Sequence, residues 1–235
     1  MRRRTSMNAG HTICYLTIMI AGFLLAWASI CNAQLYNVAI DTSSLDGLGT
    51  YYVEFQVTAG SAPFGDSQAT ISNFNLTGGT LGAILPPTQG NVAGSLPGTL
   101  ILTDGPAIFG PIADFAQAFS VTNTTSNLSF GLQLAASTVN TPIPDGFTFM
   151  ILDGSQVPLP TTGPTGVEFV SADFTSTTPI PQVYGTASNS PVIIPTPNLT
   201  TSTAVPESNA ICLLGSLSLS IIRLLIRRRD ILKQR

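Results

Sequence analysis

Residues 49–58 read GTYYVEFQVT. In an extended chain Tyr51, Val53, Phe55 and Val57 fall on one face and Tyr52, Glu54, Gln56 and Thr58 on the other, because strand side chains alternate with a period of two. The stretch predicts a strand with one buried face. Residues 126–135, SNLSFGLQLA, repeat the pattern with Leu128, Phe130, Leu132 and Leu134. Similar short runs occupy 35–40, 68–76, 99–103, 115–122, 147–152 and 167–174. Gly78-Gly79, Asp104-Gly105, Asp145-Gly146 and Asp153-Gly154 separate them as turn signals, and no capped amphipathic helix interrupts the series. About eight short strands across 34–178 predict an all-β body, an antiparallel β-sandwich or jelly roll.

Charge is confined to the ends. Of the 9 Lys and Arg, none lies between Gln34 and Ala204, and that stretch also lacks His, Cys and Trp. It does hold Asp41, Asp46, Glu54, Asp66, Asp104, Asp114, Asp145, Asp153, Glu168 and Asp173, so the body is purely acidic. Phosphate backbones would be repelled, which excludes nucleic acid as a partner. Cys14, Cys31 and Cys212 lie in the apolar terminal segments, so no disulfide can staple the body and its stability must come from an apolar core.

The N-terminal segment 1–33 opens with Arg2, Arg3 and Arg4, runs apolar from about Ile13 to Ile30, and ends Cys31-Asn32-Ala33. A basic start, an apolar run and a small residue at the end are the plan of a secretory signal peptide, with the cut expected between Ala33 and Gln34. An uncleaved anchor is the alternative. A lipid-bearing Cys31 is disfavoured by the bulky Ile30 before it.

Segment 205–235 has the opposite layout: a break at Pro206, an apolar run over 209–226, and a basic cluster at Arg227, Arg228 and Arg229 within 227–235. As a helix rising 1.5 Å per residue, the run spans roughly 27 Å, enough to cross a slightly thin hydrocarbon layer if Arg223 reaches toward the interface. Arginines stay on the cytoplasmic side, so the body between the two basic ends is expected to be exported.

Val205-Pro206-Glu207-Ser208, followed by a short apolar helix and an arginine cluster, resembles the PEP-CTERM sorting signal of bacterial exported proteins. The resemblance implies an exosortase-type membrane protease that cuts near the motif, after export through a translocon and transient anchoring in the inner membrane. The destination it implies is the cell surface or extracellular matrix. Ser208 departs from the pattern, which usually has proline there. A plain tail anchor is the alternative. The body is also similar to PEP-CTERM proteins of unassigned function, in Tyr36–Leu45, Ser72-Asn73-Phe74, Gly78–Gly82 and Gly94–Gly98. No catalytic residue travels with that similarity.

Residues 179–204 carry Pro179, Pro181, Pro191, Pro195 and Pro197 among Ser, Thr and Asn, a composition that predicts an extended, solvated linker.

Without His, Cys or Lys, the body offers no Ser-His-Asp, Cys-His, Schiff-base or zinc-histidine chemistry. Carboxylate chemistry alone remains, and nothing in the sequence pairs any two of the acids. The expectation is therefore a non-enzymatic surface or matrix protein with no required cofactor. The rival expectation is a carbohydrate-binding module for exopolysaccharide, with calcium the ion that Asp-rich loops would admit. Asp46, Asp104, Asp145 and Asp153 are equally explained as turn formers. Stacking on sugar would fall to Tyr36, Tyr51, Tyr52 or Tyr184, with one of Tyr51 and Tyr52 facing the core. Four N-x-S/T triplets, at Asn75, Asn123, Asn127 and Asn198, match the glycosylation pattern but arise readily by chance in so Ser/Thr/Asn-rich a chain.

Overall fold

Phe55 is fully buried in the core between the sheets. It stands mid-strand in GTYYVEFQVT, and with Tyr51, Val53 and Val57 it turns inward and is buried, as the alternation predicts. A computed structural model of the chain describes residues 34–61, 65–86, 90–105, 112–136, 142–176 and 178–202. Within them Phe55 meets Phe149 at 4.9 Å and Phe130 at 5.3 Å between ring centroids, and Phe130 meets Phe149 at 5.1 Å. Phe130 comes from the opposing sheet, so this aromatic knot joins the two layers.

The strands are β1 (Leu35–Asp41), β2 (Thr50–Thr58), β3 (Ser67–Thr77), β4 (Gly79–Ile84), β5 (Asn91–Gly94), β6 (Leu100–Thr103), β7 (Ile112–Val121), β8 (Asn127–Ala136), β9 (Gly146–Leu152), β10 (Val170–Asp173), β11 (Gln182–Val183) and β12 (Asn198–Ser202). They form two six-stranded sheets, ordered β12-β1-β8-β3-β6-β5 and β11-β10-β9-β2-β7-β4. Every pairing is antiparallel. The pairs β1 with β8, β2 with β7 and β3 with β6 nest one inside the next, the wrapping of a jelly roll. The predicted all-β antiparallel sandwich is the architecture observed.

The core lies between the sheets. The first sheet supplies Val38, Ile40, Ile71, Leu100, Leu128 and Leu132; the second supplies Val53, Phe115, Phe119, Phe147 and Ile151. In β3 the inward residues Ala69 and Ile71 are odd-numbered, whereas Phe74 is even-numbered and also buried. A bulge between Ser72 and Asn75 supplies the extra residue, with Asn73 at φ +51°, and so returns Phe74 to the core.

Segment 179–204 departs from expectation. It does not behave as a linker over the residues described, because β11 and β12 close one edge of each sheet. β12 pairs with β1 from Leu35↔Ser202 to Ala39↔Asn198, Val192 and Ile194 are buried, and the Tyr36 hydroxyl donates to the Pro179 carbonyl at 3.1 Å. The prolines fit because edge segments need not donate every N–H to a ladder. The folded body therefore runs from Gln34 to Ser202, past the 178 boundary read from composition.

No helix among the described residues is long and apolar enough to cross a membrane. The signal peptide 1–33 with Ala33, the motif Val205, Pro206, Glu207 and Ser208, the apolar run 209–226 and the cluster Arg227 to Arg229 lie outside the described residues.

Candidate functional site on the outer face of the second sheet

The registers of the second sheet align Gln182 of β11, Ser171 of β10, Thr148 of β9, Gln56 of β2 and Asp114 of β7 in one row. All five are outward positions, since the residues on either side of each within its strand point into the core or sit at the strand's end. The row is polar throughout.

Over its β9–β11 end lies a groove of about 470 Å³. Thr148, Ser171 and Gln182 form its floor, and Asp173, Ile180 and Tyr184 stand around it. Ile180 is 67% exposed and Tyr184 is half-buried, so both keep apolar surface open to solvent. Gly146 supplies the remaining floor, and a Cβ built there would meet nothing within 4 Å.

One wall is held by a buried acid. Glu168 is 2% exposed, which would be costly for a carboxylate left without partners. It has them: Oε1 accepts the Thr165 N–H at 2.9 Å, while Oε2 accepts the Val167 N–H at 3.0 Å and the Thr165 hydroxyl. Burial would raise this carboxyl, but the Thr165 hydroxyl and surrounding N–H groups outweigh it and hold Glu168 below its ordinary range. The loop 163–168 is thus tied to its own acid and stands as a fixed wall.

At the other end of the row, Glu54 and Asp114 hydrogen-bond through their carboxyl groups. Burial, then the Asp114 charge and that hydrogen bond, push Glu54 up to about 7, against a smaller opposing contribution from Gln56, whose amide donates to Glu54 Oε1 at 3.1 Å. Asp114 is also raised, chiefly by burial, while the hydrogen bond from Glu54 works the other way. Both carboxyls therefore sit above their ordinary ranges. Sequence reasoning found no acid pair because Glu54 and Asp114 become neighbours only through the β2–β7 register, which a single sequence does not display.

A third group of acids lies at one end of the sandwich. Carboxylate oxygens of Asp66, Asp104 and Asp145 come within 4.8 Å of one another. Asp104 accepts N–H bonds from Gly65 and Ser67, each at 2.7 Å. Asp145 accepts the Gly60 N–H and the Ser67 hydroxyl, each at 2.6 Å. Burial raises the Asp104 carboxyl against those N–H bonds, and the Asp145 charge adds to the rise. Asp104 and Asp145 are therefore not simple turn formers: both are buried and pin the β2–β3 connection to the ends of β6 and β9. Asp153 does make its turn, accepting the Ser155 and Val157 N–H groups at 2.8 and 3.0 Å.

Of the four body tyrosines, Tyr36 and Tyr51 are buried in the core, Tyr52 is half-buried on the outer face, and Tyr184 lines the groove. Gln34 is half-buried, with its side-chain amide 3.1 Å from the Tyr36 hydroxyl. Comparison of the chain with protein-family models, curated proteins and solved structures finds no match in any of the three.

Proposed function

We propose that the chain is an exported, non-enzymatic surface or extracellular-matrix protein delivered by a PEP-CTERM-like signal. Its signal peptide is removed between Ala33 and Gln34. The helix over 209–226, with Arg227, Arg228 and Arg229 behind it, holds the chain in the inner membrane until an exosortase-type protease cuts near Val205-Pro206-Glu207-Ser208.

One observation carries this reading. The first strand begins at Leu35 and the last ends at Ser202, both inside the two expected cuts, and these two residues are paired. Chain entry and chain exit lie side by side at one corner, so both appendages can be removed without taking a strand from either sheet. A catalytic role gains nothing from the acids that do meet. Glu54 and Asp114 bond to each other directly, whereas acid and base in glycosidases stand about 5–9.5 Å apart across the bond they cleave. Calcium is the one cofactor with a group of three acidic ligands to receive it among the described residues, at Asp66, Asp104 and Asp145.

Transplanting residues 205–235 onto an unrelated exported reporter tests the reading. We expect the reporter to be cut and released in a producing cell, and retained when Pro206 and Glu207 are replaced by alanine. Equal release with and without those replacements would remove the sorting proposal. The carbohydrate-binding alternative is favoured separately by the groove.

A further inference from the structure

We propose that the groove over β9, β10 and β11 binds a short run of a neutral glycan, with Tyr184 as the stacking platform and Thr148, Ser171 and Gln182 as the polar floor. The proposal rests on the export reading only in that the body must meet a glycan outside the cell.

The chemistry of the lining selects the ligand class. At about 470 Å³ the groove falls within the ordinary 300–1,000 Å³ range for ligand sites, and it lies along an edge of the sheet, which suits a chain passing through. Its floor offers two hydroxyls and a carboxamide in register on adjacent strands, each able to donate and accept. Sugar hydroxyls require that two-way capacity. Tyr184 and Ile180 give apolar surface to the C–H face of a sugar ring, and Asp173, exposed at the rim, accepts from a hydroxyl pair.

Other ligands fit less well. No Lys, Arg or His exists anywhere in the body, so an anionic polymer, a phosphate or a sulfate meets only repulsion. A basic peptide would need several free carboxylates. Glu168 is already filled by three donors, which leaves Asp173 as the one acid in the groove with its charge open to a partner. An apolar ligand meets a lining that is more polar than apolar. Because Glu168 fixes the wall in advance, little ordering is required on binding.

The test uses the full chain in micelles of a detergent without a sugar head group, titrated calorimetrically with soluble β-glucan, galactomannan, dextran and xyloglucan, with alginate and polylysine as charged probes. We expect binding to at least one neutral polymer and none to alginate, unaffected by a chelator. Tyr184→Ala should weaken it about tenfold or more, since aromatic anchors dominate such sites. Tyr184→Phe should retain most of it. Gly146→Ile should abolish it by filling the floor, where the added Cβ has open space and the fold has no reason to yield. Thr200→Ala, on the outer face of the other sheet, should leave it unchanged. Binding to no neutral polymer overturns the proposal, as does neutral binding that survives both Tyr184→Ala and Gly146→Ile. Binding to polylysine alone would assign the groove to a basic peptide. All of these outcomes are independent of whether the tail is cut, so failure here leaves the sorting reading standing.

Discussion

Glu54 carries the clearest consequence at the scale of single residues. Its folded carboxyl is pushed up to about 7 from an ordinary value near 4.5, so the folded chain keeps a proton that the unfolded chain has lost. Its stabilising contribution is complete below pH of about 4.5 and is lost as pH rises through about 7. The rise at Asp114 acts in the same direction. Asp41 and Glu168, both held low, oppose it by losing their contributions as the solution becomes strongly acidic. Melting of the body should therefore peak in mildly acid solution and fall toward pH 8. Because solvent partly screens the pair, the fall should be modest, about 2–4 °C, which is what roughly 1 kcal/mol produces in a domain of this size. Glu54→Gln should flatten that fall; an unchanged pH profile would show that the Glu54 carboxyl is not raised in the folded chain. Ser67→Ala should cost about 1–3 kcal/mol in denaturant unfolding, since it strips the buried Asp145 carboxylate of a donor. The Asp145 role could not be read from Asp145-Gly146, because the dipeptide looks the same whether the side chain closes its own turn or ties down a connection formed by residues far away in sequence.

At the scale of elements, what the sequence revealed follows from burial. The eight stretches marked by alternation became the inner strands β1, β2, β3, β6, β7, β8, β9 and β10. The unforeseen β4, β5, β11 and β12 are the four edge strands, two for each sheet. An inner strand buries every second residue and writes a period of two. An edge strand such as β4, GTLGAI, has no fully buried residue and leaves no such mark. β11 and β12 were further hidden by proline, which reads as linker composition although it is compatible with an edge. The groove was illegible for the same reason, since Gln182 and Tyr184 belong to a segment whose composition predicts a linker. A direct consequence concerns truncation. Residues 34–202 should unfold as one cooperative unit, whereas 34–178 should melt at least 10 °C lower, or not fold, because it loses β12 from Val38 and uncovers the surface under Ile194. Equal melting of the two fragments by circular dichroism would return 179–202 to the status of a linker.

At the scale of the whole molecule, an acidic sandwich with no cation sits between two basic, apolar ends, and its first and last strands are partners. With no cationic side chain among them, the acids repel one another across the body, so added sodium chloride should raise its melting temperature by screening. The same separation of charge is the basis for reading the ends as addresses and the body as cargo. On that reading both ends are removed and the body alone is delivered. Intact-mass measurement of the protein recovered from the cell exterior tests it most directly. The expected species begins at Gln34 and ends close to Pro206, with the apolar run and the arginines gone; a recovered chain that still extends to Arg235 would overturn that reading.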